Sequence, residues 1–156
     1  MITSNIDNEL KEILSKALPK ILVIGSGGAG NNTINRLYLN YLNGIKTVAI
    51  NTDAQDLLKV RADKKILIGK TLTNGLGAGS YPEVGEKATY ENIDEIKGIL
   101  NDKSVVFLTA GLGGGTGTGS LPVIAEVSKR TGALTIAIVT MPFTMEEIID
   151  LTETWI

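Results

Sequence analysis

The residues of this chain best suited to chemistry form one run of glycine and threonine at positions 111–119 (GLGGGTGTG). Six of these nine residues are glycine and two are threonine. An apolar, strand-like segment at 105–108 precedes the run, and an apolar stretch with helical spacing follows it. A strand that leads through glycines into a helix presents bare backbone N–H groups at the positive end of that helix, and this geometry binds phosphate. The run therefore predicts an anion-binding loop and not a flexible linker.

Two other glycine clusters stand near the ends of strand-like segments. One is residues 25–30 (GSGGAG), directly after the apolar residues 21–24, and the other is residues 74–80 (NGLGAGS). Both precede stretches with the apolar spacing of a helix. In open α/β sheets, ligands bind beyond the carboxyl ends of the strands. The three loops, around residues 25–32, 75–80 and 111–119, are therefore expected to converge on one pocket.

The composition excludes several kinds of chemistry. The chain has 156 residues, a formal net charge of −2, and neither cysteine nor histidine. Disulfides, thiolate catalysis, imidazole acid–base catalysis and the usual zinc sites are therefore excluded. No basic patch indicates nucleic acid, no polybasic stretch indicates direct membrane binding, and no apolar run reaches the ~20 residues that span a bilayer. A chain without cysteine is typical of the cytoplasm.

Strand-like and helix-like segments alternate along the chain. Short apolar runs predict strands at residues 21–24, 47–50, 65–68, 104–109 and 134–139. Amphipathic spacing predicts helices at residues 4–18, 31–42, 54–60, 81–100 (weakest near Gly98), 119–130 and 145–156. Ser80 is the expected N-cap before Pro82, and Pro122 is expected in the first turn of its helix. The predicted fold class is α/β, a three-layer, Rossmann-like parallel sheet with helices on both faces.

The glycine clusters also admit two other nucleotide motifs. Residues 25–30 fit the dinucleotide fingerprint G-x-G-x-x-G, with Asp53 at the expected distance, which favours a nicotinamide or flavin enzyme. That fold needs only one glycine loop under its pyrophosphate, whereas this chain has three. Residues 69–71 resemble the end of a P-loop, but Lys64 stands where the first glycine is required. A row of two or three phosphates accounts for all three loops. Asp53 is either a helix N-cap or a neighbour of magnesium or phosphate.

Five segments, in order along the chain, resemble the motifs of one family. They are GGAGNN at 27–32, NTDAQ at 51–55, GLGAG at 75–79, GGGTGTG at 113–119 and VTMPF at 139–143. Together they resemble the tubulin/FtsZ superfamily of GTPases, and more closely its FtsZ branch of prokaryotic cell-division proteins. The helix before residue 21 and the combination Gly30-Asn31-Asn32 are more similar to archaeal than to bacterial members.

The resemblance implies a GTP or GDP site, with magnesium held mainly by phosphate oxygens and water. The residues implied to contact the α- and β-phosphates or the base side are Gly27, Gly28, Ala29, Gly30, Asn31 and Asn32. Those implied to sense the γ-phosphate are Ala78, Gly79 and Ser80. Those implied to cradle the phosphates, with the threonine hydroxyls as added donors, are Gly113, Gly114, Gly115, Thr116, Gly117 and Thr118. Glu146 is implied to form a hydrogen bond with the ribose, although Asp150 stands where the family has an arginine.

The resemblance also implies a function and a division of the chain. The implied function is GTP hydrolysis coupled to head-to-tail filament assembly, in the cytoplasm at the division site, with further copies of the chain and other division proteins as partners. Residues 1–20 are expected to form an N-terminal helical extension and residues 21–156 an incomplete GTP-binding domain, since the family's central helix, catalytic acidic loop and second domain are not among them. No catalytic residue is therefore expected within the chain, which should bind nucleotide weakly or not at all and not hydrolyse it alone.

Two other functions stay open at this point: a small dinucleotide-binding oxidoreductase, and a non-catalytic interaction module. The loop assignment can be tested by substitution. Valine at Gly115 is expected to place a side chain where a backbone amide meets phosphate, and so to abolish binding while the fold is retained.

Overall fold

The computed structural model of this protein describes residues 3–40 and 44–142. Within them the helices are α1 (Thr3–Ala17), α2 (Gly27–Leu39), α3 (Ala54–Lys59), α4 (Lys70–Thr73), α5 (Pro82–Glu91), α6 (Ile93–Leu100) and α7 (Gly115–Arg130). The strands are β1 (Ile21–Ser26), β2 (Ile45–Asn51), β3 (Lys64–Leu67), β4 (Val105–Gly111) and β5 (Leu134–Thr140). None of the described helices combines the length and apolar character needed to cross a membrane. The helix expected at 145–156 lies outside the described residues.

The five described strands form one parallel sheet in the order β3-β2-β1-β4-β5. The chain moves outward from β1 in one direction through β2 and β3, then returns to place β4 on the other side of β1. Ser26, the last residue of β1, pairs with Ile50 of β2 and with Ala110 of β4, so the carboxyl ends of the central strands are level. This strand order creates a crevice between the ends of β1 and β4, where doubly wound sheets bind their ligands.

Alternate side chains of the strands fill two cores, one on each face of the sheet. Ile24 of β1 packs on one face in a core that includes Leu121 of α7 and Ile96 of α6. Val23, its neighbour, packs on the opposite face in a core that includes Ile34 of α2. Because successive strand residues point to opposite faces, a continuous apolar run requires helices on both sides. The prediction of a three-layer α/β sheet with helices on both faces is confirmed.

The helices that follow β1 and β4 begin about one turn earlier than expected. α2 begins at Gly27 and α7 at Gly115, because glycines expected to form loops lie instead in the first turns. Glycine has a low helix propensity, so a prediction based on propensity places these residues in loops. Their place in the helices depends instead on packing. A Cβ on Gly30 would lie 2.4 Å from the carbonyl oxygen of Thr109, which means that only glycine lets α2 approach β4 this closely. Pro122 consequently lies inside α7, and its expected place in the first turn is wrong.

The helix expected across residues 81–100 is interrupted at Asn92 and not weakened at Gly98. α5 ends and α6 begins on either side of Asn92, whose side-chain oxygen accepts a hydrogen bond from the Gly69 N–H at 3.0 Å. The asparagine side chain readily hydrogen-bonds to backbone groups and so competes with the helical hydrogen bonds, which favours a break in the helix at this residue. The expected N-cap is also wrong: Tyr81 holds that position, and Ser80 has a φ of 65°, in the left-handed region.

Glycines bring α5 against the first half of α7, backbone to backbone. A Cβ on Gly85 would lie 2.3 Å from the carbonyl oxygen of Gly115, and one on Gly119 would lie 1.9 Å from that of Pro82. Real Cβ atoms do not approach so closely, so neither position has room for a side chain. The contact holds residues 74–81, which lead into α5, beside the beginning of α7.

We predict that Gly85→Ala destabilises the chain by about 1–3 kcal/mol, because the added methyl group forces α5 and α7 apart. Gly98→Ala is the matched control. Gly98 is exposed in α6, and a Cβ there meets no atom within 4 Å, so alanine should be neutral or stabilising by up to about 1 kcal/mol. Urea unfolding of both variants measures the difference. Equal losses at the two positions would contradict the backbone contact.

Candidate phosphate-binding site

One cavity lies in the crevice between the carboxyl ends of β1 and β4. Its volume is about 510 Å³, within the range of small-molecule sites. The loops around 25–32 and 111–119 each contribute several residues to its wall, and the loop at 75–80 contributes Ser80 alone, so the three loops meet at one pocket as predicted. The lining residues are Ser26, Gly27, Gly28, Ala29, Ser80, Gly111, Leu112, Gly113, Gly114, Gly115, Thr116, Gly117, Thr140, Met141 and Pro142.

Two helix N-termini meet at this cavity. α2 begins at Gly27 and α7 at Gly115, and both residues lie in the wall. The N-cap residues, Ser26 and Gly114, make no side-chain capping bond, and neither first turn contains an acidic residue. The first N–H groups of a helix have no partner within the helix, and its N-terminus carries a partial positive charge. The two ends together form an anion site built from backbone.

The described wall of the cavity contains no formally charged side chain. Along this described wall, a bound anion would therefore meet N–H groups, hydroxyls and helix dipoles, and not a lysine or arginine. Across residues 3–40 and 44–142, no group of three or more acidic, histidine or cysteine side chains is placed to hold a metal ion. A divalent cation at this site would need ligands from the anion itself, and the oxygens of a polyphosphate are suitable ligands for magnesium.

Among the described residues, three carboxyl groups with displaced pKa values lie away from the cavity. Burial raises the pKa of Asp63, but hydrogen bonds from the Thr47 N–H and hydroxyl, with the charge of Lys46, outweigh it and hold the pKa below its ordinary value. The Thr71 N–H, which donates to Glu91 at 2.9 Å, lowers the pKa of that carboxyl group. The hydrogen bond and charge of Lys20 lower the pKa of Asp102. None of these carboxyl groups lines the cavity, so its described part offers no acid or base with a shifted pKa.

Hydroxyl groups fix the shape of the main glycine loop from within. The Thr118 hydroxyl accepts a hydrogen bond from the Gly113 N–H at 3.0 Å, which closes the turn that leads into α7. The Thr116 hydroxyl lies 2.7 Å from that of Thr52, at the end of β2. Thr118 is buried and does not line the cavity, whereas Thr116 does. The two threonines, which the sequence treats alike, therefore have different surroundings.

Backbone hydrogen bonds anchor the loop at residues 74–80 to the end of β2. The Ala54 N–H donates to the carbonyl of Gly75 at 2.9 Å, and the Gly77 N–H donates to that of Thr52 at 3.2 Å. The Asp53 side chain accepts from the N–H groups of Gln55 and Asp56, at 2.8 and 3.0 Å. Asp53 is thus the N-cap of α3, which is the structural one of its two interpretations. These contacts leave Ser80, beyond the anchored part, in the cavity wall.

Asn31 joins the ends of β1 and β2 inside the protein. With its amide nitrogen facing the strands, it donates to the carbonyls of Gly25 and Ile50 at 3.0 and 3.2 Å, and it accepts from Asn51 at 3.0 Å. Asn31 is 1% exposed, and both hydrogens of its amide have acceptors. Asn31 and Asn32 also line a smaller cavity of about 240 Å³ between α2 and α3, which shares Gly28 with the larger one.

The structure sorts the predicted site residues into four groups, although their assigned contacts stay predictions. Those on the larger cavity are Gly27, Gly28, Ala29, Ser80, Gly113, Gly114, Gly115, Thr116 and Gly117. Those on the smaller cavity are Gly28, Asn31 and Asn32. Those that line neither cavity are Gly30, Ala78, Gly79 and Thr118. Glu146 lies outside the described residues. Two residues of the cavity wall, Ser26 and Thr140, have no role in the sequence analysis. They are the last residues of β1 and β5, and this position at the carboxyl end of a strand could have indicated them.

The expectation for valine at Gly115 is wrong in one respect. A Cβ on Gly115 would lie 2.8 Å from the Cβ of Ala78 and 2.8 Å from the backbone nitrogen of Tyr81. The side chain would therefore push against the neighbouring loop, and the fold would not be retained unchanged. Gly114 is the better position, because its φ of −94° suits any residue and a Cβ there meets no atom within 4 Å.

Comparisons with known proteins identify the family. The family described as "Tubulin/FtsZ family, GTPase domain" matches residues 20–155. The chain belongs to the tubulin/FtsZ family. Among curated relatives, it is 61% identical over 140 residues to "Cell division protein FtsZ 1" of Methanocaldococcus jannaschii, and 59% identical over 145 residues to the protein of that name from Thermococcus kodakarensis. These alignments cover 90% and 93% of the chain, but only 38% and 39% of the relatives.

Solved structures of tubulin/FtsZ proteins share the fold. The structure titled "FtsZ dimer, empty", from M. jannaschii, is similar with a TM-score of 0.83 and 61% identity, over 90% of this chain and 41% of that one. The GTPγS-bound protofilament of CetZ2 from Haloferax volcanii is similar with a TM-score of 0.70 and 27% identity, over 77% of this chain and 39% of that one. The chain therefore spans about two fifths of the length of the relatives it matches.

We predict that Gly114→Val weakens the binding of GDP or inorganic pyrophosphate by at least about tenfold, because the side chain occupies space that the anion needs. Its free energy of unfolding should fall by no more than about 1 kcal/mol, since the added atoms meet nothing in the protein and valine is only a less favourable N-cap residue than glycine. Calorimetry and urea unfolding measure the two quantities. Gly115→Val is the comparison, in which affinity and stability should fall together. Unchanged affinity in Gly114→Val would mean that this loop is not the phosphate cradle.

Proposed function

We propose that this chain forms the phosphate-binding part of a GTP site of the FtsZ kind. The observation that supports this most strongly is the meeting of two helix N-termini without side-chain caps, α2 and α7, at one cavity of about 510 Å³. One such end suffices for a single phosphate, whereas two ends and a third loop suit a row of phosphates. Membership of the tubulin/FtsZ family supports guanine as the base, which the cavity alone does not specify.

The proposed roles follow the wall of the cavity. Residues 113–117 and the first turn of α7 cradle the phosphates, and residues 27–29 at the start of α2 contact them from the other side. Ser80, on the third loop, contacts the γ-phosphate. Magnesium is held mainly through phosphate oxygens and water, because the described wall offers it no carboxylate. The backbone amides and the metal together offset the charge of the triphosphate.

We further propose that the site works in head-to-tail filaments that act in cell division. Two observations on relatives support this: they are named as cell-division proteins, and solved relatives include a dimer and a GTPγS-bound protofilament. A contact between different faces of identical subunits generates an open filament. Hydrolysis in such a filament is completed by acidic residues of the next subunit, which position the attacking water. The proposed location is the cytoplasm at the division site, with other division proteins as further partners.

We propose that further parts of the larger protein pack against β5. β5 lies at one edge of the described sheet, and its Leu134 and Ile138 are each 61% exposed. Because β4 and β5 are parallel and in register, these side chains share the sheet face that α2 covers over β1, β2 and β4. An apolar strand face of this kind is normally covered in a parallel sheet.

We predict that residues 1–156 bind GTP and GDP weakly, in the presence of magnesium, and show no turnover alone. Heteronuclear NMR titration up to millimolar nucleotide measures the binding, and phosphate release measures the turnover. NADH serves as the control ligand. Tight NADH binding without a response to GTP would support the oxidoreductase alternative. An intact fold that responds to neither ligand would support an interaction module without nucleotide.

The proposed activity of the larger protein is testable in a hybrid. This chain would replace the matching region of the M. jannaschii relative, to which it is 61% identical over 140 residues. We expect the hybrid to hydrolyse GTP and to sediment as a polymer in a GTP-dependent manner. The same hybrid with Gly114→Val should do neither. A folded hybrid that binds GTP but never assembles would contradict the filament proposal and leave the phosphate site in place.

A further inference from the structure

Thr52, which is buried, contacts the phosphate loop through its hydroxyl, and nothing in the proposed site accounts for this contact. Its hydroxyl lies 2.7 Å from the hydroxyl of Thr116, which is in the first turn of α7 and lines the larger cavity. Thr52 is fully buried, is absent from the cavity wall, and directly follows β2. The contact therefore joins the interior of the protein to the wall of the site.

The surroundings of the pair determine which hydroxyl donates. Among the described residues, Thr116 is the one hydrogen-bond partner of the Thr52 hydroxyl. If Thr116 donated, the hydrogen of Thr52 would point into the interior without an acceptor, which is costly for a buried donor. Thr52 therefore donates and Thr116 accepts. The hydrogen of Thr116 is then left for a group inside the cavity.

The remaining polar atoms of Thr52 are held as well. Its N–H donates to the Asn51 side chain at 2.9 Å, and its carbonyl accepts from the Gly77 N–H at 3.2 Å and from the Thr73 hydroxyl at 3.3 Å. These bonds fix the hydroxyl relative to both β2 and the loop at 74–80. The contact with Thr52 holds the Thr116 hydroxyl toward the end of β2.

We propose that Thr52 is a positioning residue for the phosphate site, and that it holds the Thr116 hydroxyl as a donor toward a phosphate oxygen. The inference rests on the proposed function, because it requires a polyphosphate in the cavity. Thr52 itself does not touch the ligand. It acts by orienting and polarising the hydroxyl of Thr116, since a hydroxyl that accepts a hydrogen bond becomes a better donor.

A double-mutant cycle tests the inference, with GTPγS and magnesium as the probe and NMR titration of residues 1–156 as the measurement. Thr52→Val removes the hydroxyl with little change of shape and should weaken binding about three- to tenfold. Thr116→Val removes the donor itself and should weaken binding by about tenfold or more. In the Thr116→Val background, Thr52→Val should change affinity by less than about twofold, because it acts through the missing group. Thr52→Ser keeps the hydroxyl and should restore affinity.

Ser128→Ala is the matched control, because it breaks a similar hydroxyl pair, Ser128 with Thr135 at 2.8 Å, at the other end of α7. It should lower stability but leave affinity within about twofold of the original. Stability provides a second readout: the double Thr52→Val, Thr116→Val variant should be more stable than Thr116→Val alone, in which the buried Thr52 hydroxyl has lost its partner. If the original chain binds GTPγS but the two losses of affinity are additive, this inference fails and the proposed function stands. If neither the original chain nor the hybrid with the M. jannaschii relative binds GTPγS, both fail.

Discussion

Two helix N-termini directed at one cavity impose the main constraint on this structure. Each end carries unpaired N–H groups and partial positive charge, and bringing two of them together is unfavourable unless an anion lies between them. A side chain at the N-cap can supply the acceptor, as Asp53 does for α3. Ser26 and Gly114 do not supply one here, and neither first turn contains an acid. The cavity therefore has unpaired N–H groups and partial positive charge, which the proposed polyphosphate would complement. The strand order, the glycine content and the absence of charged residues from the described wall are consistent with that proposal.

The glycines meet this constraint in three physically different ways. At Gly30, Gly85 and Gly119 the absence of a side chain lets one backbone lie against another, which brings α2 to the sheet and α5 to α7. Gly27 adopts a φ of 69°, which other residues rarely adopt. Gly114 differs from both, because it has an ordinary φ and open space around it. Most of the glycines near the site therefore determine the path of the backbone. Only a glycine such as Gly114, with an ordinary φ and open space around it, leaves room for the proposed polyphosphate.

The sequence predicts the sheet well because five apolar runs mark the strands and because parallel strands must end at a common edge. That topological rule is sufficient to bring distant loops to one cavity. Helix starts are predicted less well, since propensity treats glycine as loop whereas tertiary packing at Gly30 makes it part of a helix. The break at Asn92 depends on a bond to Gly69, and the unsuitability of Gly115 for valine depends on where its Cβ would point. Neither property is encoded in local spacing. The role of Thr52 is hidden for the same reason, because its partner Thr116 is distant in the sequence.

The central claim is that the N-termini of α2 and α7 bind one polyphosphate together. Backbone amide shifts during a titration of the chain with inorganic pyrophosphate test this claim most directly, because they report each helix end separately and require no base recognition. We expect the amides of Gly28 and Ala29 to shift together with those of Gly115, Thr116 and Gly117, and all of them to saturate with one dissociation constant. Shifts confined to one helix end, or two ends that saturate at different concentrations, would contradict it.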